Sequence, residues 1–157
     1  MPSKDSIWDE RLFQIYGLHR DHPRIKEADD ITELWRRFCI YVGKHIGNSQ
    51  KGILVAWNGK SCDLRWIYKI CQAPGSTLQL PTSIKYFMDP KKVISHYKGC
   101  LLNSSKSKID SYELGVVWKY IHKKNLTGAH NSMIDVQAQT DVVTHPYFHN
   151  FVHTQGI

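Results

Sequence analysis

The sequence predicts an α/β fold in which a parallel or mixed sheet is flanked by helices. Short apolar runs bounded by turn residues indicate strands, and longer stretches with apolar residues every three or four positions indicate amphipathic helices. The two kinds of segment alternate along the chain, which is typical of right-handed strand–helix–strand units. With 157 residues and 41% hydrophobic content, the chain is expected to form one domain, 1–157, with a real core.

The first half of the chain is predicted to contain two strands separated by a helix. Residues Leu12–Gly17 (LFQIYG) are apolar and aromatic and end in glycine, which indicates a strand. Asp30 is placed to cap a helix that runs to about Ile46, and Glu33 completes a capping box. The β-branched run at 53–57 (ILVAW) predicts a buried strand, followed by an Asn-Gly turn.

The second half continues the alternation. A strand is predicted at 84–89 (IKYFMD), where apolar and polar residues alternate. Pro90 opens a short helix, because proline is favoured in a first turn. Other helices are predicted at 64–71, 112–123, 133–143 and 146–153, with a loop at 19–25 and a polar irregular segment at 98–111.

Charge and composition narrow the function classes. The formal net charge of +7 favours a polyanionic partner such as nucleic acid. No apolar run approaches the roughly 20 residues of a membrane span, and the first residues do not resemble a secretory signal. We therefore expect an intracellular protein, nuclear or cytoplasmic, with no membrane partner. The four cysteines are scattered without a CxxC pair, which argues against a zinc ribbon or a disulfide framework.

Two segments carry candidate chemistry. Asp63 follows the Asn58-Gly59 turn, just beyond a predicted strand, and ligands of parallel sheets bind at the carboxyl ends of strands. His130 and Asp135 form an H-x4-D pair, with the imidazole in a turn and the carboxylate on the next helix. Hydrolysis of phosphodiesters by two metal ions needs both kinds of group. Carboxylates fix the ions, and a nearby base accepts the proton of the attacking water.

Each candidate also has a purely structural interpretation. Asp63 can be a plain helix N-cap, His130 a turn residue and Asp135 an exposed helix residue. Asp89 is better explained as the cap of the helix that Pro90 opens than as a metal ligand. Three histidines near the end repeat every four residues and could line a helix face as metal ligands, although a proline interrupts them and no Cys or acidic residue joins them: His145, His149 and His153.

The two segments resemble motifs of the DEDDh 3′–5′ exonucleases, in particular the DnaQ and TREX-like group. VAWNG followed by three residues and Asp63 is similar to their second motif, and AHNSMID is similar to their third. The order and separation of the motifs agree over roughly Leu12–Val143. The resemblance implies an RNase H-like fold and an activity on DNA or RNA.

The resemblance also implies residue roles. Asp63 and Asp135 would bind Mg²⁺ or Mn²⁺ in a two-metal site, and His130 would be the catalytic general base. Asn58 would contact substrate or hold the turn before Asp63. Trp57 stands where the family tends to keep histidine and would be either a packing residue or a platform on which a base stacks.

The family's first motif, an Asp-x-Glu on the central strand, is not found. Asp9 and Glu10 are adjacent, so on a strand they would point to opposite faces. We therefore expect the N-terminal strands to be missing, or supplied by an upstream segment or a second chain that completes the sheet. The prediction is an exonuclease-like domain that is incomplete or catalytically impaired. The alternative is a degenerate nuclease fold, of the kind a mobile element could supply, that binds nucleic acid or protein.

Overall fold

A computed structural model describes residues 19, 21–47, 50–97 and 109–155. These residues form two strands and seven helices, which confirms the α/β class. In chain order they are α1 (Pro23–Lys26), α2 (Ile31–His45), β1 (Gly52–Val55), α3 (Asp63–Gln72), β2 (Ile84–Met88), α4 (Pro90–His96), α5 (Leu114–His122), α6 (Ser132–Val143) and α7 (Pro146–Gln155). The strand predicted at Leu12–Gly17 and most of the segment at 98–111 lie outside the described residues.

The two strands pair with each other in a parallel sheet. The Gly52 N–H donates to the Ser83 carbonyl at 2.7 Å, and the Ala56 N–H donates to the Met88 carbonyl at 3.0 Å. The earlier residue of one strand is bonded to the earlier residue of the other, and the later to the later, so the two strands run in the same direction. As a consequence, the carboxyl ends of β1 and β2 lie side by side. The candidate site residues were predicted at this edge of the sheet.

The chain divides into two compact units. The N-terminal unit comprises Met1–Ile53 and Tyr68–Tyr86, and the C-terminal unit comprises Leu54–Ile67 and Phe87–Ile157. None of the described helices is long and apolar enough to cross a membrane.

Helix α2 dominates the described part of the N-terminal unit. The Asp30 carboxylate accepts the Glu33 N–H at 2.9 Å, so the predicted N-cap is confirmed. The Glu33 carboxylate pairs with Arg36 at 2.7 Å and Arg37 at 2.9 Å, and these bonds lower its pKa to about 2. The opposite face of the helix buries Trp35.

The hydrophobic core of the C-terminal unit is built mainly from its helices. Its fully buried members are Ile94, Val117, Val142 and Phe148. Helix α6 packs against both α5 and α7, so each of these helices contributes to the core. Phe148 comes from α7, which the sequence predicted as a short final helix.

One local prediction is corrected by the structure, and a second is confirmed. Residues 19–25 were predicted to be a loop, but Pro23 begins α1, a single turn capped by the His22 ring. The proline that interrupts the histidine repeat, Pro146, is the first residue of α7. Only His149 and His153 therefore lie on that helix, with ring centroids 6.5 Å apart.

His145, between α6 and α7, makes the stability of the fold sensitive to acid. Its Nδ1 is buried without a hydrogen-bond partner among the described residues. Burial, and to a smaller extent the charge of His122, lowers the pKa of His145 below its usual 6.5. The neutral ring is therefore favoured in the folded state, and its stabilising contribution is complete above pH 6.5.

We expect the free energy of unfolding to fall as the pH drops from 6.5 towards the lower pKa of folded His145. The decline should disappear in His145→Phe, whereas His149→Phe should retain it. Urea unfolding at several pH values between 7.5 and 5 measures the difference. Asp141, whose pKa is lowered by bonds from Gln137 and Trp118, titrates only in a more acidic range and does not interfere. An equal decline in both variants would contradict this assignment.

Candidate functional site

The end of β1 turns sharply at the Asn-Gly pair. The Gly59 N–H donates to the Ala56 carbonyl at 3.0 Å, and Asn58 has a left-handed backbone with φ of 56°. Asparagine tolerates that conformation better than most residues. A Cβ at Gly59 would lie 2.7 Å from the Ala56 Cβ and 2.8 Å from the Leu64 Cγ. The turn therefore needs glycine at this position.

Asp89, at the carboxyl end of β2, holds this turn. Its Oδ1 accepts the Asn58 N–H at 3.0 Å, and its Oδ2 accepts the Lys60 N–H at 3.3 Å. From the sequence, Asp89 was predicted to cap the helix that begins at Pro90. Asp89 does occupy the N-cap position, but its side chain makes no capping bond, because both carboxylate oxygens are engaged by the neighbouring turn.

Asp63 is the first residue of α3 and is exposed. The turn leads directly into this helix, since the Leu64 N–H donates to the Gly59 carbonyl at 2.9 Å. An acidic residue here interacts favourably with the positive end of the helix. The Asn58 amide nitrogen lies 3.6 Å from the Cys62 sulfur, so its side chain faces the turn.

Gln139 on α6 joins that helix to the end of β1. Its Nε2 donates to the Val55 carbonyl at 3.1 Å, and its Oε1 accepts the Trp57 N–H at 2.6 Å. The side-chain amide thus replaces the two bonds that a neighbouring strand would make. Gln139 was not among the predicted site residues, although its position one helical turn after Asp135 was a usable signal.

This bridge determines where Asp135 lies. Residues four apart on a helix share a face, with Cβ atoms roughly 6 Å apart. Asp135 therefore lies on the face of α6 that Gln139 holds against the end of β1. It is partly buried, unlike the exposed helix residue of the structural interpretation.

The H-x4-D spacing has a direct structural meaning. The His130 N–H donates to the Asp135 Oδ1 at 3.3 Å, so the carboxylate anchors the turn that carries the imidazole. His130 has a left-handed backbone with φ of 71°, and its side chain is exposed. The Asn131 side chain caps α6 by accepting the Met133 N–H at 3.1 Å. His130 and Asp135 are thus held together by the backbone, with the imidazole presented to solvent.

Trp57 is engaged in packing. Its indole Nε1 donates to the Tyr112 carbonyl at 3.1 Å, and its ring packs against the core of the C-terminal unit. The packing interpretation accounts for both contacts. A base-stacking role stays a prediction that would have to use the part of the ring left accessible.

The candidate metal ligands are fewer than a complete site needs. Within the part of the chain that the structure describes, no three His, Cys, Asp or Glu side chains are grouped closely enough to hold a metal ion. Mg²⁺ requires six ligands in near-ideal octahedral geometry and usually takes carboxylates together with water and phosphate. Asp63 and Asp135 by themselves therefore do not fit a two-metal centre.

Comparison with known proteins adds no family assignment. No protein-family model matches the chain, and no curated protein matches it significantly.

Replacement of Gln139 tests the bridge between α6 and β1. We expect Gln139→Leu to lower the free energy of unfolding by about 2 kcal/mol, because the Val55 carbonyl and the Trp57 N–H lose their partners in a partly buried place. Gln137→Leu is the matched control, since its amide bonds only the Asp141 carboxylate on the exposed side. Its effect should stay within about 0.5 kcal/mol. Urea unfolding measures both, and equal losses would contradict the bridging role.

Proposed function

We propose that this chain is an RNase H-like, DEDDh-type 3′–5′ exonuclease domain that acts on nucleic acid and that is incomplete or impaired by itself. The Gln139 bridge is the observation that carries the proposal. It holds the face of α6 that bears Asp135 against the end of β1, whose following turn leads to Asp63. In this proposal, the third-motif carboxylate and the second-motif turn would thereby share one end of the sheet.

The residues of the site would divide the work by position. Asp63 and Asp135 would supply carboxylate oxygens to Mg²⁺ or Mn²⁺, as the resemblance implies. His130 would accept the proton of the attacking water, since its imidazole is exposed and its backbone is tied to Asp135. Asn58 would hold the turn, because its N–H is bound by Asp89.

Turnover in this proposal depends on carboxylates beyond these two. Two divalent ions need a denser set of acidic ligands than Asp63 and Asp135 offer. The remaining ligands would be carboxylates outside the described residues or on a second chain. Without them, the domain would hydrolyse nucleic acid weakly or not at all.

A second candidate function is nucleic-acid binding without turnover. It is favoured by the sparse ligand set among the described residues and by the net charge of +7. Lys119, Lys123 and Lys124 are exposed at the end of α5 and could contact phosphates. Such a module would retain the fold of a nuclease and use it as a basic surface.

A labelled oligonucleotide distinguishes the two functions. A single-stranded substrate labelled at its 5′ end is incubated with the full chain and Mn²⁺, and products are resolved by length. Stepwise shortening from the 3′ end supports the nuclease, provided that Asp63→Asn and Asp135→Asn each lower the rate at least roughly 100-fold. Asp110→Asn, at an exposed carboxylate outside the site, is the matched control and should leave the rate unchanged.

Binding in the presence of a chelator tests the alternative. An affinity that falls steeply with salt, with no shortening in Mn²⁺, favours the binding module. Replacement of the three α5 lysines by glutamine should then weaken binding and flatten the salt dependence. Shortening that persists in both aspartate variants, or an absence of both cleavage and binding, would refute the nucleic-acid proposal.

A further inference from the structure

Helix α2 carries an exposed apolar stripe beside the face that packs inside the N-terminal unit. The inner face buries Trp35 and Val42. One position before each of them, Leu34 is 55% exposed and Tyr41 is 62% exposed. Helix α2 therefore presents more apolar surface than its own unit buries. The α2 stripe is defined here as the line of five residues, spaced by three and four positions, that follows this side of the helix: Ile31, Leu34, Phe38, Tyr41 and His45.

The spacing of the α2 stripe is the heptad spacing of helices that pack side by side. Side chains that repeat at intervals of three and four interlock with those of a facing helix. Two ring contacts hold the stripe in place. The Phe38 ring packs against Trp35 with centroids 5.5 Å apart, and the His45 ring stacks on Tyr41 at 4.1 Å. A preformed seam of this kind loses little side-chain entropy when a partner helix packs on it.

The charges that border the α2 stripe indicate which helix fits it. The row beside the stripe, on the side away from the buried face, consists of Asp30, Arg37 and Lys44, seven positions apart. Its ends have opposite charge, and Arg37 in the middle is already paired with Asp29 at 3.0 Å and Glu33 at 2.9 Å. A second copy of α2, turned end for end, would place its Lys44 beside Asp30 and its Asp30 beside Lys44. The stripe and its border are therefore complementary to the same helix in antiparallel orientation.

We propose that two copies of this chain form an antiparallel dimer through the α2 stripe. Phe38 is the middle residue of the stripe, so the two-fold axis passes near the two Phe38 rings. Ile31 of each copy then packs beside His45 of the other, and Leu34 beside Tyr41. The seam between two helices of 15 residues is about 22 Å long. Because interfaces much below ~1,200 Å² give weak complexes, the dissociation constant should be on the order of 10 µM.

Sedimentation velocity of the full chain tests the dimer. We expect the average mass to rise from 18.2 kDa at low concentration towards twice that value above roughly 100 µM. Leu34→Ser should weaken dimerisation roughly tenfold or more, because each dimer loses two buried leucine side chains. Ile40→Ser is the matched control. Ile40 is 43% exposed on the same helix but lies on the side away from the stripe, so its replacement should leave the mass curve unchanged.

A second variant, Tyr41→Ser, keeps the test decisive if Leu34→Ser folds poorly, and circular dichroism checks the helix content of both. A chain that stays monomeric at concentrations well above 100 µM would overturn the proposal, as would a dimer that both serine variants leave intact. A monomer whose free energy of unfolding falls in Leu34→Ser but not in Ile40→Ser would show that the stripe packs within one chain. That result would also overturn the proposal.

Cross-linking without a spacer tests the orientation of the two helices. A carbodiimide joins a carboxylate to an amine that touches it, so in the antiparallel dimer it should link Asp30 of one copy to Lys44 of the other. Within one chain these residues are about 21 Å apart along α2, so the link can form only between copies. Peptide mass spectrometry of the cross-linked dimer should find it, and Lys44→Gln should abolish it. A dimer in which Lys44 is not linked to Asp30 would overturn the antiparallel arrangement.

Discussion

Phe148→Ala is expected to lower the free energy of unfolding by about 4 kcal/mol. Phe148 is 1% exposed and contributes its ring from α7 to a core whose other fully buried members come from α4, α5 and α6. Removal of the ring loses its transfer free energy and leaves a cavity that several helices would have to close together. A loss of this size is a large part of the stability of a small domain. Denaturant unfolding followed by circular dichroism measures it.

Phe87→Ala is the control for this prediction, because the same atoms are removed in the same unit. Phe87 is 52% exposed, so its truncation removes much less buried apolar surface than the truncation of Phe148 does. We expect its cost to stay at about 1 kcal/mol or below. Comparable losses for the two variants would mean that α7 does not complete the core, and the assignment of the final helix would then be wrong.

The sequence predicted the elements well where local signals govern them. Helix α2 was predicted from apolar spacing and the Asp30 cap, and both the cap and the span to His45 are confirmed. The strand at 84–89 was predicted from alternation and is observed at Ile84–Met88. These features depend on neighbours within about four positions, which a single sequence displays directly.

Contacts between distant residues were not predictable in the same way. Asp89 was interpreted as a local cap, yet its partners are 29 and 31 positions away, at Lys60 and Asn58. Gln139 binds residues more than 80 positions earlier. Periodicity and capping patterns carry no information about such pairs, because the hydrogen-bonding capacity of a side chain does not reveal which backbone group will meet it.

The candidate site also combines local features, which the sequence predicts, with long-range contacts, which it does not. The Asn58-Gly59 turn and the His130–Asp135 pair are local, and the structure gives each a physical cause. A convergence of Asp63 with Asp135 would be a long-range property; the resemblance alone suggested it, and it stays a prediction. The Gln139 bridge fixes one face of α6 against the end of β1, so the variants of Gln139 and of the two aspartates test the arrangement through stability and through activity.

Gly59→Ala is expected to lower the free energy of unfolding by about 3 kcal/mol. The added methyl would lie 2.8 Å from the Ala56 carbonyl oxygen and 2.7 Å from the Ala56 Cβ, both of which belong to rigid parts of the turn. Relief of this overlap requires the turn to open. That movement would weaken the bond from the Gly59 N–H to Ala56 and the two bonds that Asp89 makes to the turn.

Gly115→Ala is the matched control, since it makes the same chemical change in the same unit with no atom within 4 Å of the new methyl. Gly115 lies in the first turn of α5, where alanine is the better helix former, so we expect a gain of roughly 0.5 kcal/mol. The two substitutions should therefore change stability in opposite directions in one denaturation series. If nucleic acid is bound at the end of β1, Gly59→Ala should also weaken that binding while Gly115→Ala leaves it unchanged. Effects of the same sign on stability would show that the turn does not need glycine, and the geometry that positions Asp63 would then have to be abandoned.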